Sequence, residues 1–387
     1  MKRSADRILT THVGSLSRPP QLLEQMRARL NGKPYDEAAY DALVSRTVQD
    51  VVRRQVEAGI DVVNDGEQSK SGFYRYLDER LAGFSPAKAG SSSAPPGWQE
   101  EINAFPEYYA TYLNKDVRGG DIAPATPLVC TGPISYRGQE ALQRDLANLR
   151  ASLNASPGAV EAFVPSSAPS GLGGNEYYRS EDEYLSALAD ALHVEYQAIV
   201  DAGFIVQVDD PFLTEFYREG GDLEARKRTA GLYVEALNHA LRGIPRDKVR
   251  FHTCYGINEG PRIFDTPLKD IVDLMLRINA GAFSFEAANP RHEHEYHVFE
   301  DVKLPEGTIL MPGMIFHASN IVEHPEWIAE RIVRYARIVG RENVIASTDC
   351  GFSSQARFIP EVHPTVVWAK FKALAEGARL ASLQLWP

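Results

Sequence analysis

Apolar residues recur three and four positions apart through long stretches of the chain, as at Val44, Val48, Val51, Val52 and Val56. That spacing lines one face of a helix and predicts amphipathic helices over residues 45–58, 183–202, 223–241, 268–278, 325–339 and 364–380. Between them lie short runs that predict strands over residues 8–15, 61–67, 127–132, 204–209, 249–255, 282–287, 308–316 and 344–350. Strand and helix alternate almost throughout, which calls for parallel strands joined by right-handed crossovers. Eight such units predict an α/β fold, a (β/α)8 TIM-type barrel, with a doubly wound open sheet as the alternative.

Two segments break the rhythm. Residues 85–100 include Ser91-Ser92-Ser93-Ala94-Pro95-Pro96-Gly97, within a long insertion that is rich in Tyr and Trp around residues 98–112. Residues 164–176 form a second Pro/Ser/Gly tract. Long loops in a compact domain often act as lids, and these two are expected to cover the barrel mouth. No composition shift or short repeat divides the chain, so residues 1–387 are expected to form a single catalytic barrel.

Charge narrows the partners. A formal net charge of −11 is the wrong sign for nucleic acid or an anionic membrane surface. No apolar run approaches the roughly 20 residues that span a bilayer, and Met1-Lys2-Arg3-Ser4 leads into no signal-like apolar core. A cytoplasmic protein acting on small molecules is expected, and self-association into a homo-oligomer is compatible with this reading. Three cysteines, Cys130, Cys254 and Cys350, are too few for a disulfide framework and suit metal binding or catalysis instead. For Cys130 the plainer reading, a small buried hydrophobe, is kept.

Polar residues gather where the predicted strands end: Thr11-His12-Val13-Gly14-Ser15, Asn64-Asp65-Gly66-Glu67, Gln207-Val208-Asp209-Asp210, His252-Thr253-Cys254, Phe285-Glu286, Phe316-His317 and Asp349-Cys350. In a barrel these ends converge on one face, where active sites sit. His252 and Cys254 are two apart, so on a strand both side chains project to one side. Alone the pair is as compatible with a buried thiol beside a satisfied imidazole. Cys350 at another strand end, with Glu286 between, makes a zinc site the stronger reading, because thiolates with imidazole select zinc over magnesium or calcium. Two thiolates and an imidazole leave such a site formally neutral, and Glu286 would make it electron-rich. It would then bind a substrate thiol, lower its pKa and leave the sulfur nucleophilic. The run Arg291-His292-Glu293-His294-Glu295-Tyr296-His297 reads as a polar loop lining the pocket rather than a second metal site. Arg291 there could pair with an anionic substrate group.

Taken together these residues resemble the C-terminal catalytic half of cobalamin-independent methionine synthase and related short proteins that include epoxyalkane:coenzyme M transferase. The resemblance runs from Val13-Gly14-Ser15 to Asp349-Cys350-Gly351. It implies a barrel in which His252, Cys254, Glu286 and Cys350 hold zinc. It further implies that Ser15 helps hold an amino-acid carboxylate, that Glu67 and Asp209 grip an ammonium, and that His317 is an acid aiding the leaving group. For Glu67 the alternative is an acid at the start of a helix over residues 68–77. Longer members of the family carry an additional N-terminal half that helps hold folate polyglutamate, and the pterin-stacking Trp expected near the third strand does not stand in Thr131-Gly132-Pro133-Ile134-Ser135-Tyr136. The alkyl donor is therefore left open among a methylated folate, a corrinoid, an epoxide or another activated carbon.

The expected activity is zinc-dependent transfer of an alkyl group, methyl first, onto a thiol. Homocysteine is the leading acceptor and coenzyme M or another small thiol the alternative. A zinc hydrolase or lyase on the same barrel fits less well, because two thiolates and a carboxylate make zinc a poor Lewis acid. A closed structural zinc site would favour a surface knuckle over a barrel mouth.

Overall fold

The computed structural model describes the chain except for residues 74, 88–95, 115–121, 123–126, 219–221 and 257–259. Eight parallel strands form the barrel: Leu9–Thr10, Val62–Val63, Glu161–Ser167, Ile205–Asp209, Val249–His252, Ala282–Phe285, Ile309–Ile315 and Ile345–Thr348. Each lies beside its neighbours in chain order, with Leu9–Thr10 also paired to Ile345–Thr348. A parallel bridge between Thr11 and Val62 closes the ring. The doubly wound alternative is thereby set aside in favour of the TIM-type barrel.

The helices form where the apolar spacing placed them. Glu37–Glu57 starts at Asp36, whose side chain accepts from the Ala39 amide, as an N-cap should. Pro325–Val339 opens on proline and stops at Gly340, whose φ of 90° lies in the left-handed region that ends helices. The main core lies between strands and helices, where Val44, Val48, Val51 and Val52 are all buried. Inside the barrel, small clusters such as Leu9, Ala282, Ile309, Met311 and Ile345 share space with Arg250. Its guanidinium donates to Thr11 Oγ1 at 3.0 Å and His12 O at 2.9 Å, and sits 4.0 Å over the Phe163 ring.

One strand assignment is corrected. Residues 127–132 do form a strand, Leu128–Tyr136, but it belongs to a separate three-stranded sheet with Leu81–Pro86 and Gly174–Asn175. The third barrel strand is Glu161–Ser167, whose end falls in the tract read as a Pro/Ser/Gly loop. Pro165 lacks an amide hydrogen, which argues against a central strand. Here its carbonyl instead accepts from Lys70 Nζ at 2.6 Å.

The long insertion is a folded unit. It holds the antiparallel pair Leu81–Pro86 and Leu128–Tyr136, and helices Pro96–Ala104 and Pro106–Asn114. It is tied to the loop after the last barrel strand through Phe73 N to Ser354 O, at 2.9 Å, and Ile122 N to Ala356 O, at 3.0 Å. Of the expected lid tract 85–100, residues 88–95 lie outside the described residues. No described helix is long and apolar enough to cross a membrane.

Candidate metal centre at the barrel mouth

His252 ends the fifth barrel strand, Cys254 follows two residues later, and Cys350 follows the eighth. All three are buried, and their ligand atoms lie within 4.8 Å of one another. The two sulfurs are 3.5 Å apart, with the Cys350 thiol donating to Cys254. Two thiolates bound tetrahedrally at about 2.3 Å would stand ~3.8 Å apart, so the pair needs little adjustment to share one ion. Ser284 Oγ lies 3.1 Å from His252 Nδ1, which fixes the ring as partners of metal-bound imidazoles do. Nε2 is left with no aligned hydrogen-bond partner among the described residues. A buried ring nitrogen with no aligned partner, with the Cys254 sulfur against the ring, is costly unless something better binds it. The residues therefore fit zinc. The Cys350 hydrogen bond, outweighing burial, holds the Cys254 thiol down at about 5, with His252 assisting, while Cys350 is pushed up.

Glu286, at the end of the sixth strand, belongs to a neighbouring group with His317 and Asp349. Both of its oxygens are engaged. Oε1 accepts from the Tyr255 amide at 2.9 Å and Arg262 Nη2 at 3.2 Å, and Oε2 accepts from Asn289 Nδ2 at 3.1 Å. Burial alone would raise its pKa, but Arg262 and the neighbouring histidines hold it down at about 2. Asp349 accepts from the amides of Ala287, Ala288 and Asn289 at 2.7–2.8 Å. It thus braces the turn that carries Glu286. Only glycine fits opposite it, since a Cβ on Gly313 would collide with Asp349 Oδ1. His317 is buried, and neither ring nitrogen makes an aligned hydrogen bond among the described residues. Burial pushes its pKa down to about 4, against the pull of Glu286 and of the Gly256 backbone.

Glu67 and Asp209 approach from the other side of the mouth. Asp209 pairs in register with His252 and accepts from Gln207 Nε2 at 2.7 Å. Burial raises its pKa to about 7, with Glu67 adding and His252 and Lys70 opposing. Glu67 has a φ of 54°, uncommon for a residue with a side chain. It sits in a turn, and no helix begins at residue 68, where Arg75–Arg80 starts later; the helix-start alternative is therefore lost. Its Oε1 stands 3.0 Å from where a Cβ on Gly14 would be, and Lys70 Nζ is 3.7 Å from Oε2. Ser15 is buried at the edge of the same space, its Oγ accepting from the Ser353 amide at 3.3 Å and lying against Gly351, next to Cys350.

Other candidates fall elsewhere. Arg291 is exposed and its guanidinium reaches Ile263 O at 3.5 Å. His12 faces outward from the barrel, 2.8 Å from Gln55 Oε1. Cys130 is buried in the accessory sheet, its thiol donating to Gly132 O. The His-rich run is a short 3-10 helix, Glu293–His297, and none of its residues joins a metal-compatible group among the described residues. Sequence reasoning missed Arg262, Asn289 and Ser284. The first two sit in loops after strands, where residue type alone gives no period to follow, and Ser284 is a neutral residue inside a strand.

A profile of the family described as "Cobalamin-independent synthase, Catalytic domain" matches residues 8–94 and 174–369. The stretch left out includes much of the insertion and the third barrel strand. A methionine synthase of Sulfolobus acidocaldarius is 27% identical over 64% of this chain and 61% of its own length. A 5-methyltetrahydropteroyltriglutamate--homocysteine methyltransferase of Acidithiobacillus ferrooxidans is 25% identical over 89% of this chain but 39% of its own. This chain thus spans less than two thirds of either. A methionine synthase of Saccharolobus solfataricus is 23% identical over 97% of this chain and 95% of its own length. Among solved structures, a B12-independent methionine synthase from a Shewanella species, in complex with selenomethionine, superposes with a TM-score of 0.73. It has 20% identity and covers 98% of this chain and 99% of its own, which supports the barrel. The profile match covers well over half of the chain, and the chain belongs to the cobalamin-independent synthase catalytic-domain family.

Proposed function

We propose that the chain is a zinc-dependent transferase that moves an alkyl group, preferentially methyl, onto the sulfur of a small thiol, with homocysteine as the preferred acceptor. The observation that carries this reading is the buried His252 ring, its Nε2 without an aligned hydrogen bond among the described residues, set against the Cys254–Cys350 pair at the barrel mouth. Zinc held there would lower the pKa of a substrate thiol while leaving its sulfur nucleophilic.

The chain's own residues supply the rest. Glu67 and Asp209 offer negative charge to one cavity, where Lys70 Nζ, 3.7 Å from Glu67 Oε2, answers part of it, and the remainder suits a further cation. An amino-acid ammonium answers it, and Ser15, at the edge of the same space, suits the carboxylate. The reaction takes a proton from the thiol and needs one at the leaving atom if that atom is oxygen or nitrogen. His317, buried with its pKa pushed down to about 4 and its ring against the Gly256 backbone, can accept the first and return the second, with Glu286 beside it to steady the imidazolium.

A thiol-depletion assay on the zinc-loaded protein tests the reading. Homocysteine, coenzyme M, cysteine and glutathione are each offered with methylcobalamin, methyltetrahydrofolate or a simple epoxide. Homocysteine consumption with formation of its thioether is expected. Faster consumption of coenzyme M would move the assignment to the alternative thiol, and turnover of no thiol with any donor contradicts the proposal.

A further inference from the structure

Arg18 is 4% exposed, and among the described residues its guanidinium donates to carbonyl and hydroxyl oxygens rather than to a carboxylate. Nη2 donates to Glu67 O at 2.7 Å and to Lys70 O at 2.8 Å. Nη1 donates to Ser353 O, to Ser353 Oγ at 3.2 Å and to Leu16 O at 3.4 Å. A buried cation without a paired acid is costly. Burial pushes its pKa down, while the charges of Glu67 and Asp65 oppose that push. In this place the one guanidinium reaches the loops after the first, second and eighth barrel strands together.

Those loops meet where the barrel closes. The first strand has a short ladder with the eighth, Leu9 to Ile345 and Thr10 to Ala346, and a bridge, Thr11 to Val62, with the second. Sheet hydrogen bonds therefore do little to set the spacing of the loops above. Leu16 N to Gly66 O and Phe352 N to Ser15 O, each at 3.0 Å, join the loops in pairs, and Arg18 spans all three. Two of its contacts bear on groups assigned to the acceptor. The Glu67 carbonyl accepts from Arg18 and, at 3.0 Å, from the Lys70 amide, which helps hold a φ of 54° that is strained for a residue with a side chain. Ser353, whose carbonyl accepts from Arg18, donates its amide to Ser15 Oγ at 3.3 Å. The Glu67 carboxylate and the Ser15 hydroxyl thus hang from backbones tied by one side chain.

The consequence for selectivity rests on the acceptor reading proposed above. A thiol with an ammonium and a carboxylate on one carbon gains from both contacts only if their partners stand at the matching distance; otherwise the second contact is lost. We propose that Arg18 is a positioning residue that fixes the spacing between Glu67 and Ser15, and so makes the site selective for an α-amino-acid thiol over thiols bearing only one of the two groups. The planar five-donor fork is what spans three loops. A lysine ammonium keeps the charge but presents it at a single point.

Calorimetric titration of the zinc-loaded full chain tests this with homocysteine, with 4-mercaptobutyrate, which lacks the ammonium, and with 3-mercaptopropylamine, which lacks the carboxylate. Wild type should bind homocysteine more tightly than either analogue. Arg18→Lys should weaken homocysteine about tenfold, within what a small misplacement of binding groups costs, and each analogue less than about threefold. Added to Glu67→Gln, it should weaken homocysteine by less than about threefold, because a single remaining contact needs no fixed spacing. Equal weakening of all three thiols, a full tenfold loss in the Glu67→Gln background, or unchanged homocysteine binding overturns the proposal. If Arg18→Lys does not fold, Ser353→Ala decides alone, since it removes one acceptor of the guanidinium and keeps the backbone. A loss of about threefold confined to homocysteine is then expected, and no selective loss overturns the proposal. Wild type that binds homocysteine no better than the analogues would instead sink the acceptor reading, so the two failures are distinct.

Discussion

Two trios of buried side chains stand side by side at the barrel mouth: His252 with Cys254 and Cys350, and Glu286 with His317 and Asp349. Both sit at strand ends, both are buried, and both mix residue types that ligate metals. They differ in what their polar atoms already touch. In the second trio the two carboxylates are saturated, Asp349 by three backbone amides and Glu286 by an amide, an asparagine and an arginine. In the first, His252 Nε2 has no aligned hydrogen bond among the described residues, and the sulfurs meet each other, the imidazole and the Gly351 backbone. His317 in the second trio also lacks aligned partners among the described residues, so the lesson is that residue type nominates a metal site and the commitment of its anionic donors, free thiols against saturated carboxylates, decides between nominees.

The sharpest way to break that contrast is at Asp349. Asp349→Asn sets an amide NH2 against backbone donors and should lower the unfolding free energy by about 3 kcal/mol, read by urea titration of the metal-free protein. Zinc per folded chain should stay at the wild-type value. Lost zinc with unchanged stability would make Asp349 a ligand rather than a brace.

Next in size are the acids across the mouth. Each charge-assisted contact to an ammonium is worth ~1.5–3 kcal/mol, so Asp209→Asn or Glu67→Gln should raise the homocysteine KM about 10- to 150-fold. Metal content should not change, and coenzyme M, which has no ammonium, should gain. Equal losses on both thiols would show that these carboxylates do not read an ammonium.

A smaller effect follows from pH. Asp209 has a raised pKa, about 7, so lowering the pH adds a proton and removes the charge an ammonium needs. If only the ionised form binds, homocysteine affinity should fall about tenfold from pH 8 to pH 6. Asp209→Asn should lose this limb of the profile. A wild-type KM that stays flat across this range would show that the carboxylate is not titrating there.

Smallest is Cys130, which shares burial with the other cysteines but not their surroundings. Cys130→Ser should cost at most about 1 kcal/mol of stability, the scale of a small buried packing change, and leave zinc content at the wild-type value. A loss of metal would mean that proximity to His252 is not what selects the ligands.

The barrel was legible because strand and helix periods differ and alternate, and the thiol trio because His252 and Cys254 fall on one side of a strand end. What escaped the sequence lay where no period operates. Pro165 made a barrel strand look like a loop, and the alternating run near Cys130 looked like a barrel strand although its sheet stands apart. Arg262 sits in a loop and is brought to Glu286 only by the closed fold, whereas Arg291, the more conspicuous cation, faces outward. Glu286 was correctly placed at the mouth, but its partners are long-range and could not be read from spacing.

The central claim is that His252, Cys254 and Cys350 form the centre that holds zinc. Elemental analysis of wild type, Cys254→Ser and Cys350→Ser, each loaded with zinc and then dialysed against a weak chelator, tests it most directly. The account predicts one zinc per wild-type chain and near-complete loss in both variants. Full zinc retained by either variant would contradict it.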